Sequence, residues 1–460
     1  MSRPSGNISK NQQIKTTLLA TRERRKHMIC KTYELKIVNH HLPKYALLHL
    51  HQLFLEAKWF SNAIIGSKDI FSFDSKIESV SVICPDTIDE RPLTHLSSQM
   101  KQSLVKQVQR DIISLKKQKE KGHLVGKLIF KKCVETIPLK QHGNTYTVKR
   151  PNKSHIQGLK GYFKVRGLHQ VPKDAELAEA KLRYISGDFY LLVTCYLPIT
   201  STSKKTITNE QQKQQKRVEI AKQVLGIDGG IANQLTLSNG IQITYNIQIP
   251  EKLSQLCKRL SKKKYASKKY VKTKIKLQKR YKKWTNRKID TTNKIISRIT
   301  NNYAYVAFQD DSITNWQRLW GTRLLNTALG RLFTTLERRV VSSCVIDKWE
   351  PTSKRCSDCG YILLKQVPLD ERVFQCLNPE CRLELERDWN ASIVDKKLSI
   401  GELASINSEI NHRFPQELRK KMPLETSTSI QELCQSLDRL PFVSAQVLSM
   451  KREALSFRLG

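Results

Sequence analysis

Acidic residues flank three apolar segments in the C-terminal half of this chain. Asp228 and the pair Asp310 and Asp311 each close a strand-like stretch, and Asp388 opens a helix-like one. Carboxylates that converge from separate elements can hold two Mg²⁺ ions about 4 Å apart, and such ions activate a water and stabilise the leaving oxygen of a phosphodiester. Each acid taken singly also fits a helix cap, a turn or a solvent-facing loop. Together, in one basic chain, they favour a metal-dependent nuclease site.

Two pairs of closely spaced cysteines precede Asp388. Two residues separate Cys356 from Cys359, and four separate Cys376 from Cys381. The pairs lie about sixteen residues apart, within the usual window for a four-thiolate zinc ribbon. Zinc bound by four thiolates has no open position, so such a site is structural. Four unrelated buried thiols are the alternative, but they rarely show this spacing. The sequence therefore predicts a zinc ribbon and leaves the chemistry to the carboxylates.

The segments that carry these residues predict a mixed domain of strands and helices. The expected elements are three strands within 224–245, a strand at 303–308, a helix at about 324–344 and a strand at 345–349. Gly229 and Gly230 directly follow Asp228, and we expect them to let a phosphate approach the backbone.

The N-terminal half predicts a β unit with helices inserted between its first and second strands. The helices are expected at 45–65 and 92–119, where apolar residues recur at spacings of three or four. Alternating apolar residues predict strands at 30–38, 127–131, 145–148, 162–166 and 188–197. The last sixty residues are weakly patterned and predict no particular element.

Composition points to a polyanionic partner. The 460 residues carry 81 Lys and Arg against 41 Asp and Glu, a formal net charge of +40 that nucleic acid would neutralise. A basic membrane-surface protein would need a lipid anchor or an amphipathic apolar helix, and the sequence shows neither, nor a membrane span or a signal peptide. Seven further cysteines are scattered and are expected to be packing thiols in a reducing compartment: Cys30, Cys84, Cys133, Cys195, Cys257, Cys344 and Cys434. We expect a soluble, cytoplasmic protein of a prokaryote, associated with the nucleoid.

The most basic stretch runs from residue 251 to residue 300. Residues 252–289 contain no acid, and about half of residues 258–288 are Lys or Arg. A solvated helix face normally carries acids as well, so the run favours phosphate contact. The candidate nucleic-acid-binding residues are Lys262, Lys263, Lys264, Lys268, Lys269, Lys272, Lys276, Arg280, Lys283, Trp284 and Arg287.

The C-terminal half resembles the transposon-encoded TnpB proteins and the compact type V CRISPR effectors. The resemblance is carried by residues 226–240, by 308–316, and by 351–391 with the cysteines and the acid of Glu386-Arg387-Asp388. It implies a multidomain α+β and α/β fold, in which an N-terminal β-barrel (the wedge) with a helical recognition insertion precedes an RNase H-like, RuvC-type nuclease domain with an inserted zinc ribbon. It also implies a guide RNA and a double-stranded DNA target.

The expected domain boundaries follow from the composition and this resemblance. They are a basic flexible arm at 1–29, a wedge barrel at 30–200 with its helical insertion at about 44–121, a linker at 201–222, the first part of the nuclease at 223–350 with the basic helical stretch 251–300, a ribbon that binds target nucleic acid at 351–384, the last part of the nuclease at 385–400, and a C-terminal tail of unknown role at 401–460.

One residue departs from the family's pattern. Most members carry Glu in the second acidic segment, where this chain has Gln309 by register against Trp316. An amide is a weak, uncharged ligand for Mg²⁺, but Asp311 lies two residues further on and would face the same side if the strand continued. We therefore assign Asp228, Asp311 and Asp388 as the Mg²⁺ ligands and catalytic residues, with Asp310 and Gln309 as alternatives.

The sequence predicts an RNA-guided endonuclease that cleaves matched double-stranded DNA with catalytic Mg²⁺, structural Zn²⁺ and a guide RNA, as a monomer or a homodimer on the RNA. Because Gln309 replaces the usual Glu, a second interpretation is a nuclease-inactive protein that binds DNA through its guide RNA. Such a protein would repress a promoter or recruit a protein partner. A DNA-binding transposition accessory protein that uses no guide is the third alternative.

Overall fold

The computed structural model describes residues 7–84, 87–198, 224–365, 368, 371–406 and 427–448. The chain divides into two compact units, Met1–Ser203 and Lys204–Gly460. The predicted linker at 201–222 lies outside the described residues.

The first unit is built on a seven-stranded antiparallel sheet. Its helices are α1 (Asn7–Lys26), α2 (Lys44–Gly66) and α3 (Ser98–Glu120). Its strands are β1 (Met28–Ile37), β2 (Ser79–Ile83), β3 (Ile88–Pro92), β4 (Thr136–Leu139), β5 (Tyr146–Lys149), β6 (Lys153–Ile156), β7 (Phe163–Arg166), β8 (Glu176–Ile185) and β9 (Asp188–Pro198). The sheet order is β4-β8-β9-β1-β7-β6-β5, and β2 and β3 form a separate hairpin. The hydroxyl of Tyr146, on end strand β5, donates to the carbonyl of Ala178 within β8 at 2.8 Å, so the sheet is nearly closed.

The helical insertion packs against this sheet through α2. Leu50, Leu53 and Phe60 on α2 are fully buried, in one core with Leu35 of β1 and Phe189 of β9. Repeating apolar residues at helical spacing give α2 the wide apolar face that this burial requires. The prediction of two helices between the first strand and the rest of the sheet therefore agrees with the structure, which adds the hairpin β2–β3 between them.

Two predictions for this unit are wrong. The flexible arm at 1–29 is instead mostly helix α1, since residues 7–26 contain neither Gly nor Pro, and Arg25 of α1 pairs with Glu176 of β8 at 2.7 Å. Residues 127–131 form no strand. Both main-chain groups of Lys131 bond to the side chain of Asn62 on α2 instead of to a neighbouring strand.

The second unit is a mixed sheet with helices on both faces. Its strands are β10 (Val224–Gly229), β11 (Leu235–Leu237), β12 (Ile241–Tyr245), β13 (Tyr305–Gln309), β14 (Ser342–Ile346), β15 (Val373–Gln375), β16 (Glu384–Glu386) and β17 (Val443–Val447). Its helices are α4 (Glu251–Ser261), α5 (Lys268–Asn302), α6 (Ile313–Thr327), α7 (Leu329–Arg339), α8 (Arg387–Ile400) and α9 (Ser427–Asp438). The main sheet has the order β14-β13-β10-β11-β12-β17, with β14, β13 and β10 parallel and the remaining pairs antiparallel.

Successive residues of β10 point into different cores. Val224 packs with Val394 and Leu398 of α8, whereas Leu225 packs with Ile295 of α5 and Leu332 of α7. A strand covered on both faces is apolar throughout, which explains the continuous apolar run before Asp228.

Two predictions for this unit need correction. The helix expected at 324–344 is two helices, because Ala328 adopts a left-handed conformation (φ +54°) between α6 and α7, and the next strand begins at Ser342 rather than at residue 345. The tail expected at 401–460 contributes structure: α9 joins the core, and β17 pairs with β12 as an edge strand.

Candidate metal centres and nucleic-acid interface

Helix α8 lies directly on strand β10 because residue 226 is glycine. A Cβ atom on Gly226 would lie 1.9 Å from the carbonyl oxygen of Ser392 and 2.9 Å from the amide nitrogen of Lys396. Nearer the start of the helix, the indole of Trp389 donates to the carbonyl of Ser238 at 3.2 Å. These contacts fix the start of α8, and therefore Asp388, beside the strand that ends in Asp228.

Substituting Gly226 by alanine should destabilise the second unit strongly. Its Cβ would meet main-chain atoms, which cannot rotate away, so we expect a loss of at least about 3 kcal/mol in the free energy of unfolding. Chemical denaturation of the purified protein measures this loss. Gly330→Ala is the matched control: its Cβ would make only ordinary contacts at 3.7 Å or more with Ile313, and alanine favours helix α7. Equal midpoints for the two variants would contradict this close packing.

The acids predicted from the sequence gather at the ends of β10 and β13 and along α8. Asp228 and Asp311 are half-buried, and Asp388 is 8% exposed. Burial raises the pKa of Asp228 well above its usual range, and repulsion from Asp388, Asp395 and Asp311 raises it further. Burial, and then Asp310, raises the pKa of Asp311 to about 7. Carboxyl groups that oppose each other's ionisation in this way are suited to share cations.

Asp395 is an acid that the sequence analysis missed. It is fully buried on α8, and burial, followed by repulsion from Asp311, raises its pKa well above the usual range. Asp388 and Asp395 are seven residues apart and so share one helix face, a spacing that could have revealed the second acid.

Glu386, rather than Asp388, caps α8. Its carboxylate accepts a hydrogen bond from the amide of Trp389 at 2.6 Å. Asp388 instead faces two arginines, with Nη1 of Arg372 at 3.2 Å and Nε of Arg387 at 3.5 Å. The cap interpretation of Asp388 is therefore wrong, and the carboxylate is held in place by cationic side chains.

The side-chain amide of Gln309 is hydrogen-bonded to the loop at 347–352 and not to any of the acids of this site. Its amide nitrogen donates to the carbonyls of Asp347 at 3.0 Å and Glu350 at 2.7 Å, and its amide oxygen accepts from the hydroxyl of Thr352 at 3.0 Å. The strand does not continue as far as Asp311, contrary to the prediction from the sequence. It ends at Gln309, and the amide of Asp311 bonds to the carbonyl of Gln309 at 2.9 Å, so Asp311 reaches the acids through a tight turn. Asp310 is exposed.

The packing around the two residues after Asp228 requires glycine. A Cβ on Gly229 would lie 2.9 Å from the ring of Phe333, and one on Gly230 would lie 2.4 Å from the carbonyl oxygen of Asn233. The Cβ side of both residues is filled by the protein itself, while both residues are partly exposed, so phosphate approach stays a prediction.

The four predicted zinc ligands converge. The sulfur atoms of Cys356, Cys359, Cys376 and Cys381 all lie within 4.8 Å of one another. Cys359 and Cys376 are 3.5 Å apart and Cys356 and Cys381 are 3.7 Å apart. Zinc–sulfur bonds of about 2.3 Å in a tetrahedron require sulfurs about 3.8 Å apart, so the geometry fits a structural Zn²⁺ ion. Among the described residues this is the one group of three or more potential metal ligands whose ligand atoms lie so close together.

Asn390 ties the cysteine segment to α8. The side chain is fully buried, accepts from the amide of Ser357 at 2.9 Å and donates to the carbonyl of Arg355 at 2.7 Å. Because Asn390 lies two residues after Asp388, the first cysteine loop and the acid are parts of one packed unit.

The basic stretch forms α4 and α5, and ten of the eleven candidate residues present at least part of their side chains to solvent. Lys269, Lys272, Lys276, Arg280, Lys283 and Arg287 are all exposed and lie three or four residues apart, which defines a cationic stripe on one face of α5. The stripe is about 27 Å long at 1.5 Å per residue. Trp284 does not belong to it: this residue is 4% exposed, and its indole donates to the carbonyl of Ile247 at 2.8 Å. The assignment of Trp284 to nucleic-acid binding is therefore corrected.

None of the helices in the described ranges has the length and apolar character to cross a bilayer. The family model "Cas12f1-like, TNB domain" matches residues 334–394, and the model "Probable transposase" matches residues 206–313. A protein of Streptomyces pristinaespiralis described as "Putative RNA-guided DNA endonuclease" is 28% identical over 179 residues, 36% of this chain and 43% of the relative, so the match spans less than half of that protein.

A solved structure, "Cryo-EM structure of the Cas12f1-sgRNA-target DNA complex", aligns with 80% of this chain and 99% of its own at a TM-score of 0.38 and 13% identity. The two family models and the curated relative confirm the resemblance to the TnpB family and the compact type V effectors.

Proposed function

We propose that this protein is an RNA-guided DNA endonuclease and that its second unit is an RNase H-like, RuvC-type nuclease. The observation that carries the proposal is the convergence of Asp228, Asp311 and Asp388, which arrive from β10, the end of β13 and α8. The pKa values of Asp228 and Asp311 are raised, and Asp388 lies beside them with two arginines as neighbours. Carboxylates grouped in this way fit Mg²⁺, which prefers oxygen ligands.

Some residues of the site would bind metal, and others position the metal-binding carboxylates. Asp228, Asp311 and Asp388 would hold Mg²⁺, which supplies an activated water and stabilises the leaving oxygen of a phosphodiester. Arg372 and Arg387 orient Asp388, and the packing of α8 on Gly226 keeps that acid opposite Asp228.

The cationic stripe is the proposed contact for the phosphates of the guide RNA and its heteroduplex with DNA. In a guided nuclease, base pairing reads the sequence, while the protein recognises the backbone and a short flanking motif. A row of six cations on one helix supplies such sequence-independent contact. The zinc ribbon, fixed to α8 by Asn390, would bind target nucleic acid close to the acids.

A guided binding protein without nuclease activity is the second candidate, favoured by one observation: the amide of Gln309 is fully engaged elsewhere and offers no metal ligand. The burial of several mutually repelling carboxylates favours the nuclease, because a chain that only binds has no use for them.

Purification from a host that expresses the surrounding locus tests the proposal. We expect one defined RNA to copurify and the complex to cleave a matched duplex when Mg²⁺ is added. Tight binding without product would support the guided binder, and the absence of a defined RNA would contradict guidance altogether. Whether the complex carries one copy of the chain or two can be measured on the same sample by light scattering.

Neutralising the centre of the cationic stripe should weaken RNA binding in a salt-dependent way. For the triple variant Lys276→Ala, Arg280→Ala and Lys283→Ala, we expect the slope of log affinity against log salt concentration to fall by about 2 to 3, because each phosphate contact contributes somewhat less than one. Filter binding at several salt concentrations measures the slope. The charge-retaining variant Lys276→Arg, Arg280→Lys and Lys283→Arg is the control, and a common slope would exclude the stripe as a phosphate contact.

A further inference from the structure

Asp395 is buried without any compensation for its charge among the described residues. Its exposed fraction is 0%, and neither carboxylate oxygen has a hydrogen-bond partner there. Burying an unpaired polar group costs several kcal/mol, and an ionised carboxylate costs more. Glu56, the other acid with an exposed fraction of 0% in the described part of the chain, shows the usual solution: it accepts hydrogen bonds from the amides of His95 and Leu96. Asp395 has no such partner, so the position calls for a ligand.

The position of Asp395 puts it in the same group as the proposed Mg²⁺ ligands. It lies two turns after Asp388 on one face of α8, the helix that packs on β10 and β13. These two strands end in Asp228 and lead to Asp311, and both acids repel the carboxylate of Asp395. The side chain therefore points toward the acids rather than toward solvent.

We propose that Asp395 is a fourth metal-binding carboxylate of this site and that it supplies the negative charge that Gln309 does not. The inference rests on the proposed function. The charge count supports it, because three carboxylates leave two Mg²⁺ ions with a net charge of +1, whereas four neutralise them. Gln309 is committed to the loop before the ribbon, and α8 carries a buried carboxylate without a hydrogen-bond partner that can supply the missing charge.

The test compares metal binding by the RNA-loaded protein and its variants. Mn²⁺ binding is measured by electron paramagnetic resonance, and the melting temperature is measured with and without Mg²⁺. Because the same RNA is present in every sample, differences between variants report on the acids. Asp395→Asn should weaken Mn²⁺ binding at least tenfold and lose most of the Mg²⁺-induced rise in melting temperature, with an unchanged or higher melting temperature in the absence of metal. Glu402→Gln, which removes an exposed acid just beyond α8, should behave as the unaltered protein.

The outcomes separate this inference from the proposed function. If Asp395→Asn binds Mn²⁺ normally while Asp228→Asn does not, the fourth ligand is refuted and the nuclease site stands. If the unaltered protein shows no Mn²⁺ binding that depends on Asp228, the nuclease site itself is refuted. A purely structural role would lower the melting temperature of Asp395→Asn equally with and without metal, which would also overturn the inference. Asp395→Glu, which keeps the charge, should recover part of the Mn²⁺ binding.

Discussion

Replacing Asp228 with asparagine is expected to reduce the cleavage of matched DNA by about 10³-fold or more while the guide RNA and the target remain bound. The substitution keeps the shape of the side chain and removes its charge. Metal ions contribute several kcal/mol to stabilising the charge of the transition state, and each 1.4 kcal/mol corresponds to a factor of ten in rate. Single-turnover cleavage of a labelled duplex by saturating complex measures the effect.

A matched control for this experiment lies on α5. Asp290 is an exposed acid that pairs with Lys294 at 2.7 Å, so Asp290→Asn removes the same charge outside the site and should leave the rate within about twofold. A gel-shift assay with the same duplex confirms that Asp228→Asn still binds. Unimpaired cleavage by Asp228→Asn would refute the assignment of the catalytic site.

Removing the zinc ion should unfold the cysteine segment and abolish cleavage. Structural Zn²⁺ stabilises small domains by on the order of 10 kcal/mol, and the four thiolates are the main cross-link of residues 356–381. We expect Cys376→Ser to lose the metal, which elemental analysis should find at one ion per chain in the unaltered protein. Limited proteolysis should then cut within the ribbon.

The loss should extend beyond the ribbon to the acids. When the ribbon unfolds, Asn390 is left buried without partners, and the start of α8 that carries Asp388 loses its support. The control is Cys133→Ser, which removes an exposed cysteine far along the chain from the cluster and should retain both zinc and activity. Full cleavage by zinc-free protein would show that the ribbon and the acids are independent.

The parts of the site that follow from local pattern could be predicted from the sequence. The cysteine spacing predicts the four-sulfur cluster, and acids next to apolar runs predict which strand ends meet. Asp395 escaped prediction because the sequence analysis did not extend the helix face of Asp388 to the residue two turns further on. The role of Gln309 escaped because three hydrogen bonds to the loop at 347–352 fix its direction, and no sequence pattern encodes them.

In the fold as well, elements that follow from local sequence pattern were predicted, and contacts between distant residues were missed. Apolar periodicity predicts α2, and the apolar run before Asp228 predicts the strand β10. The edge strand β17 was missed because it is short and mostly exposed, and its pairing with β12 joins residues about two hundred positions apart. The reason for Gly226 was also missed, since the contact with Ser392 exists only after the chain has folded.

The two hydrogen bonds of Asn390 determine which substitutions the cysteine segment can accept. Both of its partners are main-chain groups, at Arg355 and Ser357, so they persist whatever side chains the cysteine loop carries. The loop can therefore exchange its surface residues and keep both hydrogen bonds that hold it to the start of α8, where Asp388 lies. A foreign ribbon grafted here must present the same two main-chain groups to Asn390. Replacing Asn390 itself should lose both hydrogen bonds and, with them, the fixed position of the loop relative to Asp388.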